Sequence, residues 1–239
     1  MGRLVIVVGI DTSTPQVSVA IGTETATLGR IQIGGTARQE SVTPALQQLL
    51  VWTGVELDHV GGFVVGTGPG LFTGLRVGIE TAKTLAQVTN APIIGVPSID
   101  ALAYAVRQTA RTIAAVVDGR RKEVFAALYQ PVPGGVMRLT EPAVQRPEAL
   151  VADLEVHPGE VLAVGDGAIL YRDVLQTVGA RVEFASASVA HPDAASLVEL
   201  AVPRFLREEH DQLFDVVPMY LRKSDAEIAW DDRARGGKP

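Results

Sequence analysis

The sequence predicts an α/β protein in which one structural unit is used twice. An apolar run ending in aspartate occurs near the start, Leu4 to Asp11, and again in mid-chain, Ile113 to Asp118. Six residues after each aspartate comes an alternating stretch: Val17, Val19 and Ile21 in the first, Val124, Ala126 and Leu128 in the second. Alternation of period two is a strand pattern, so each unit opens with a hairpin. Later in each unit an apolar run meets glycines, as Val65-Gly66-Thr67-Gly68 and as Val164-Gly165-Asp166-Gly167. The repeat rests on order and spacing more than on identity.

Taken in order, the first half continues with a strand-like segment from Thr25 to Ile33 and a helix-like one from Gln39 to Thr53. Val60 to Gly68 reads as a buried strand running into a glycine turn. A helix from Thr73 to Val88 and a short strand from Pro92 to Val96 follow. The second half repeats the series: Val136 to Leu139, the helix Pro147 to Leu154, Val161 to Gly167, the helix Ala168 to Val178, and Val182 to Ala185. Each half therefore reads β-β-β-α-β-α-β. Strands able to pair antiparallel, followed by β-α-β crossovers, make a mixed sheet covered by helices. Two such halves match the actin/sugar-kinase/heat-shock-70 (ASKHA) architecture, a duplicated ribonuclease-H-like fold of two lobes. A final helix, about Ala194 to Glu209, is expected to return to the first lobe. Residues 1–105 then form the first lobe, completed by 192–222; 106–191 form the second, and 223–239 a tail. The alternative is one doubly wound domain without duplication.

Composition sets limits on function. Of 239 residues, 47% are apolar and 20% charged, a globular balance, with a formal net charge of −6. Proteins that grip nucleic acid alone draw most of their affinity from phosphate neutralisation. Here the tight basic runs are Arg120-Arg121-Lys122 and Arg233 to Lys238, which read as a solvated turn and a solvated terminus. The absence of cysteine excludes disulfides, thiolate zinc sites and cysteine nucleophiles. The apolar start is too short to span a membrane and lacks a signal-peptide cleavage pattern, so a cytoplasmic protein with no membrane partner is expected.

Candidate chemistry clusters in two glycine-containing segments. Gly9-Ile10-Asp11-Thr12-Ser13-Thr14 ends the first strand, where actin-like ATPases face the nucleotide's metal and phosphates. The same side chains also cap hairpin turns well, and the sequence leaves both uses open. Ser13 stands where active kinases prefer a glycine that lets phosphate approach the backbone. The loop Gly66 to Arg76 lies between a strand and a helix and offers N–H groups to an anion, but has neither the Walker nor the dinucleotide pattern. Asp11, Thr12, Ser13, Thr14, Gly68 and Gly70 are thus the candidate nucleotide contacts. In the following helix Gly74, Gly78, Ala82 and Ala86 recur every four residues, a row of small side chains that admits a close neighbour. Each helical glycine costs about 1 kcal/mol relative to alanine, so the neighbour must be tight. It is either this protein's own sheet or a second subunit. Val42, Leu46 and Leu49 on the preceding helix form a companion face, and Trp52 is a core edge or an interface anchor. His59, His157, His191 and His210 form no helical pair, and no nucleophile elbow occurs.

These segments resemble the bacterial TsaB (YeaZ) family. The resemblance lies in Gly9 to Thr14, Gly68-Pro69-Gly70-Leu71-Phe72-Thr73-Gly74-Leu75-Arg76-Val77-Gly78, Asp118 to Phe125, and Pro218-Met219-Tyr220-Leu221-Arg222. It implies the actin-like fold and a non-catalytic subunit of the complex that makes N6-threonylcarbamoyladenosine in tRNA, binding and activating a TsaD-type catalytic paralogue beside a TsaE-type ATPase. The chain would not be an enzyme by itself. It would need no cofactor, with weak ATP or ADP binding left open, would pair as a homodimer in isolation, and would meet tRNA only through the complex. The catalytic paralogue carries a His-x-x-x-His metal site, and the corresponding Arg38 to Pro44 has none. Many members show His-Ser where Glu40-Ser41 stands here. The family's partner surface maps to Val42, Leu46, Leu49, Thr73, Gly74, Val77, Gly78, Thr81, Ala82 and Leu85. The competing readings are a stand-alone actin-fold ATP-dependent enzyme, a nucleotide-binding regulator, and an inactive peptidase-like relative.

Overall fold

The computed structural model describes residues 5–35 and 39–222. The expected tail 223–239, with its basic run, lies outside the described residues, as do Leu4 and Arg38. In chain order the first half holds β1 (Val7–Asp11), β2 (Val17–Gly22), β3 (Thr27–Ile33), α1 (Val42–Thr53), β4 (Gly62–Gly66), α2 (Phe72–Thr89) and β5 (Ile93–Val96). A short helix absent from the sequence reading, α3 (Ser98–Tyr104), leads to the second half. There follow β6 (Thr112–Arg120), β7 (Glu123–Val132), β8 (Gly135–Arg138), β9 (Ala143–Gln145), α4 (Pro147–Val156), β10 (Val161–Val164), α5 (Asp166–Leu170), α6 (Arg172–Leu175), β11 (Val182–Phe184) and α7 (Ala194–Leu206).

The first sheet has the order β3-β2-β1-β4-β5 and the second β8-β7-β6-β10-β11. In both, the first three strands pair antiparallel and the remaining two join parallel. The two halves thus repeat one topology, with β9 as an extra strand on β7. β1 is buried along its whole length, as a central strand covered on both faces should be. β3 alternates exposed and half-buried positions because it is an edge. The helix expected from Gln39 begins at Val42 after a 3-10 turn; Pro44, which lacks an N–H, sits in its first turn, where no helical bond is lost. The helix expected from Ala168 to Val178 is instead two short helices and a 3-10 turn, broken at Tyr171 with φ −107° and ψ 26°.

α1 and α2 cover one face of the first sheet through Val8, Ile10, Val19 and Ile21. α7 covers the other face, on Val7, Ala20, Val64 and Ile94. In the second lobe α4 packs on Ala114, Val116, Val124 and Ala126, while α3 lies on the opposite face with Ile113, Ala115 and Val117. The last helix of each half therefore covers the sheet of the other half, and α3 and α7 touch between them. Asp100 fixes α3 in place: its Oδ1 accepts from the Tyr129 hydroxyl at 2.7 Å and from Arg138 at 2.6 Å. Burial, then the Asp100 charge, pushes the Tyr129 phenol well above its ordinary value, so it remains a donor. After α7 the chain runs back along β5, where Asp211 bridges to Ile93 and accepts from the Gly95 amide at 2.8 Å.

Candidate functional site

Asp11 ends β1 with 1% of its surface exposed. Its Oδ1 accepts from the Ser13 amide at 2.9 Å and the Ser13 hydroxyl at 2.7 Å, a local turn that uses both Ser13 donors. Its Oδ2 is buried with no hydrogen-bond partner among the described residues. The Ser98 hydroxyl lies beside that oxygen and accepts from the Gly68 amide at 3.1 Å. Burial holds the Asp11 carboxyl above its ordinary range, while Ser98, Ser13 and His191 pull the other way. Burial prevails because the carboxylate is wholly removed from water and Oδ2 lacks a hydrogen bond of good geometry.

The glycine loop seals this corner. The Leu71 amide donates to the Ser13 carbonyl at 2.7 Å, and a Cβ on Gly70 would stand 2.1 Å from that same oxygen. A Cβ on Gly66 would meet Asp11 Oδ2 at 1.8 Å. The Thr12 hydroxyl donates to the Gly74 carbonyl at 2.7 Å and leaves 2.2 Å to a Cβ on Gly78. Thr12, Ser13, Thr14 and Gly68 are buried and Gly70 is half-buried, so the predicted nucleotide contacts stand together but face inward.

Of the two neighbours the sequence allows for the small-residue row, the contacts within this chain are those of its own first lobe. Gly74, Gly78 and Ala82 are buried against this chain's own β1 turn and sheet. Val42, Leu46 and Leu49 are likewise core residues of the first lobe. Of the predicted partner surface, Thr73 is exposed and Val77, Thr81 and Leu85 are half-buried. Trp52 is 70% exposed, so it is no core edge; Val51 beside it and Val88 at the end of α2 are each 75% exposed. Spacing alone shows that something approaches a helix closely, and says nothing of what.

At the matching corner of the second lobe, Asp166 Oδ1 accepts from the Asp118 amide at 3.0 Å and the Gly167 amide at 2.9 Å. Burial raises its pKa and the Asp118 charge adds to this, against the two amides and His191. His191 Nδ1 lies 3.9 Å from Asp166 Oδ2 and is buried without a hydrogen-bond partner among the described residues. Sequence reading treated it as a lone histidine, since no spacing links it to either aspartate. Asp118 pairs with Arg120 at 3.1 Å. Beyond it, Arg120, Arg121 and Lys122 adopt φ of 60°, 54° and 62° at the exposed hairpin tip. A tight hairpin of this hand favours Asn and Gly, and left-handed backbone costs other residues about 1–2 kcal/mol each. No group of His, Cys, Asp or Glu suited to a metal ion occurs among the described residues.

A model of the family described as "TsaD: tRNA N6-adenosine threonylcarbamoyltransferase" matches residues 33–230. Together with the duplicated topology, this defines the chain as an actin-like protein of the family that this model describes. The tRNA threonylcarbamoyladenosine biosynthesis protein TsaB of Bacillus subtilis is 31% identical over 94% of this chain and 97% of its own length. Its counterpart in Escherichia coli is 28% identical over 94% and 96%. YeaZ from Pseudomonas aeruginosa superposes with a TM-score of 0.78 at 27% identity, covering 91% of this chain and all of that one. The chain belongs to the TsaB (YeaZ) family. A ROK hexokinase from Thermus thermophilus, at a TM-score of 0.50 and 13% identity, shares the fold alone.

Proposed function

We propose that this chain is a non-catalytic partner subunit in the synthesis of N6-threonylcarbamoyladenosine in tRNA, binding and activating a TsaD-type transferase. The names of its relatives support the pathway. The sealed Asp11 corner supports the passive role, because the carboxylate that would face a nucleotide's metal is covered and its neighbours are spent on internal bonds. The partner would dock on the solvent side of α2 at Thr73, Val77, Thr81 and Leu85, with Trp52 as an aromatic anchor. In isolation the same face would pair two copies isologously, and a TsaE-type ATPase would join the assembly without binding nucleotide through this chain. The test is tRNA modification in a mixture of TsaD, TsaE, ATP, threonylcarbamoyl-adenylate and tRNA, with and without this chain. Dependence on a chain that is inert alone supports the role; indifference refutes it.

A further inference from the structure

A cavity of about 310 Å³ opens on the second lobe, in the gap between β8 and β9, which pair with successive stretches of β7. Its floor is Ala126 and Leu128 of β7, Ala143 of β9 and Leu150 of α4. One wall is Val156, an apolar residue 83% exposed at the end of α4. Two of the polar groups around it are already engaged: the Thr140 hydroxyl accepts from the Leu128 amide at 2.9 Å, and Glu141 pairs with Arg138 at 2.9 Å. Asp153 at the mouth and Glu155 beside Val156 are exposed acids with no ion pair among the described residues, and the last turn of α4 has no basic residue. Arg181 donates to the backbone carbonyls of Glu155 and His157 instead. A small apolar hollow with an unpaired acid at its lip suits one large ring followed by cations.

The chain carries that combination in its own tail. The described residues end on this lobe, with Leu221 packed into the second core and Arg222 paired with Glu123 at 2.7 Å. Glu123 opens β7, and the cavity begins three residues further along that strand, roughly 10 Å at a strand's rise. Trp230 stands eight residues beyond Arg222, a reach of up to about 26 Å. It is the one aromatic residue of 223–239, and Arg233, Arg235 and Lys238 follow it, outnumbering Asp231 and Asp232. We propose that the cavity is the docking site of this tail, with Trp230 in the hollow against Leu150 and Val156 and the cations beyond it facing Asp153 and Glu155. So short a tether holds Trp230 at an effective concentration in the mM range, so contacts too weak to retain a free peptide suffice. Docking covers Val156 and sets cations beside the acidic end of α4, where the helix dipole disfavours negative charge.

The test uses the full chain, whose two tryptophans can be read separately. Trp52→Phe leaves Trp230 as the reporter, and Trp230→Phe leaves the exposed Trp52 as the reference. Trp230 should emit to the blue of Trp52 and be quenched by acrylamide at least about twofold less, as a tethered contact at mM effective concentration requires. Val156→Ser and Asp153→Lys, both at exposed positions, should each raise the quenching of Trp230 toward that of Trp52 while the far-ultraviolet circular dichroism stays that of the parent. Equal quenching of the two tryptophans overturns the proposal. Protection of Trp230 that survives both variants overturns it too, since the tail then lies elsewhere. Protection lost on dilution overturns it in favour of a second copy's tail.

Discussion

Asp11 ends β1 of the first sheet, and Asp118 stands in the matching place on β6, yet the loop after β4 seals the first while the second lies at the base of an exposed charged hairpin. The glycines that follow the fourth strand hug the first strand in both lobes. A Cβ on Gly66 would strike Asp11 Oδ2 at 1.8 Å, and one on Gly165 would strike the Val116 carbonyl at 1.9 Å. What differs is the turn between the first two strands. In both lobes the residue two past the aspartate donates its amide to Oδ1 at 2.9 Å, but Ser13 is buried in the first while Arg120 opens an exposed basic tip in the second. A single duplicated corner thus serves as a structural plug in one lobe and as a presented loop in the other.

The strongest way to break this comparison is Gly78→Leu, whose Cβ alone would stand 2.2 Å from Thr12 Oγ1. It should destabilise the monomer by about 3 kcal/mol, the upper end of overpacking costs, seen as a lower melting temperature at any concentration. A variant that melts normally and fails only to associate would return the small-residue row to the interface. Asp11→Asn should stabilise, by roughly 1–3 kcal/mol at pH 7, because the amide keeps the Ser13 bonds and gives the orphaned position a donor beside Ser98. Its folded-state pKa lies above 3.8, so the native carboxyl favours folding at low pH and loses that advantage as pH rises. The gain should therefore shrink in melts taken as pH falls toward 3.8. Asp118→Asn keeps the acceptor for the Arg120 amide and loses an ion pair whose guanidinium is exposed, so it should change stability by no more than about 1 kcal/mol. Arg222→Ala should cost about 0.5 kcal/mol in denaturant titration, the worth of a partly exposed ion pair.

Period-two alternation exposed β2 and β7, and buried apolar runs exposed β1, β4, β6 and β10, because those strands carry the core. α3 escaped notice because Ser98, Ile99, Ala101, Leu102, Ala103 and Tyr104 are all buried, leaving no polar face to set a helical period. β9 escaped because three residues hold too little pattern. The Asp11 turn was legible as either a cap or a phosphate cradle; only the approach of Gly66 and Gly70 across the chain distinguishes them. Ser98 beside Asp11 and His191 beside Asp166 gave no signal, since their places are set wholly by tertiary packing.

The exchange of α3 and α7 between lobes has a consequence for synthesis on the ribosome. The first sheet is complete at Val96, but the helix that covers its second face begins at Ala194. Until that helix emerges, Val7, Ala20, Val64 and Ile94 have no cover on that side, and a nascent chain halted before it presents a bare apolar sheet. The second lobe faces no such wait, since α3 precedes β6 and is already made when its sheet forms. Truncations ending before Ala194 should therefore aggregate through the first lobe, leaving the second as the half that nascent-chain proteolysis finds folded first.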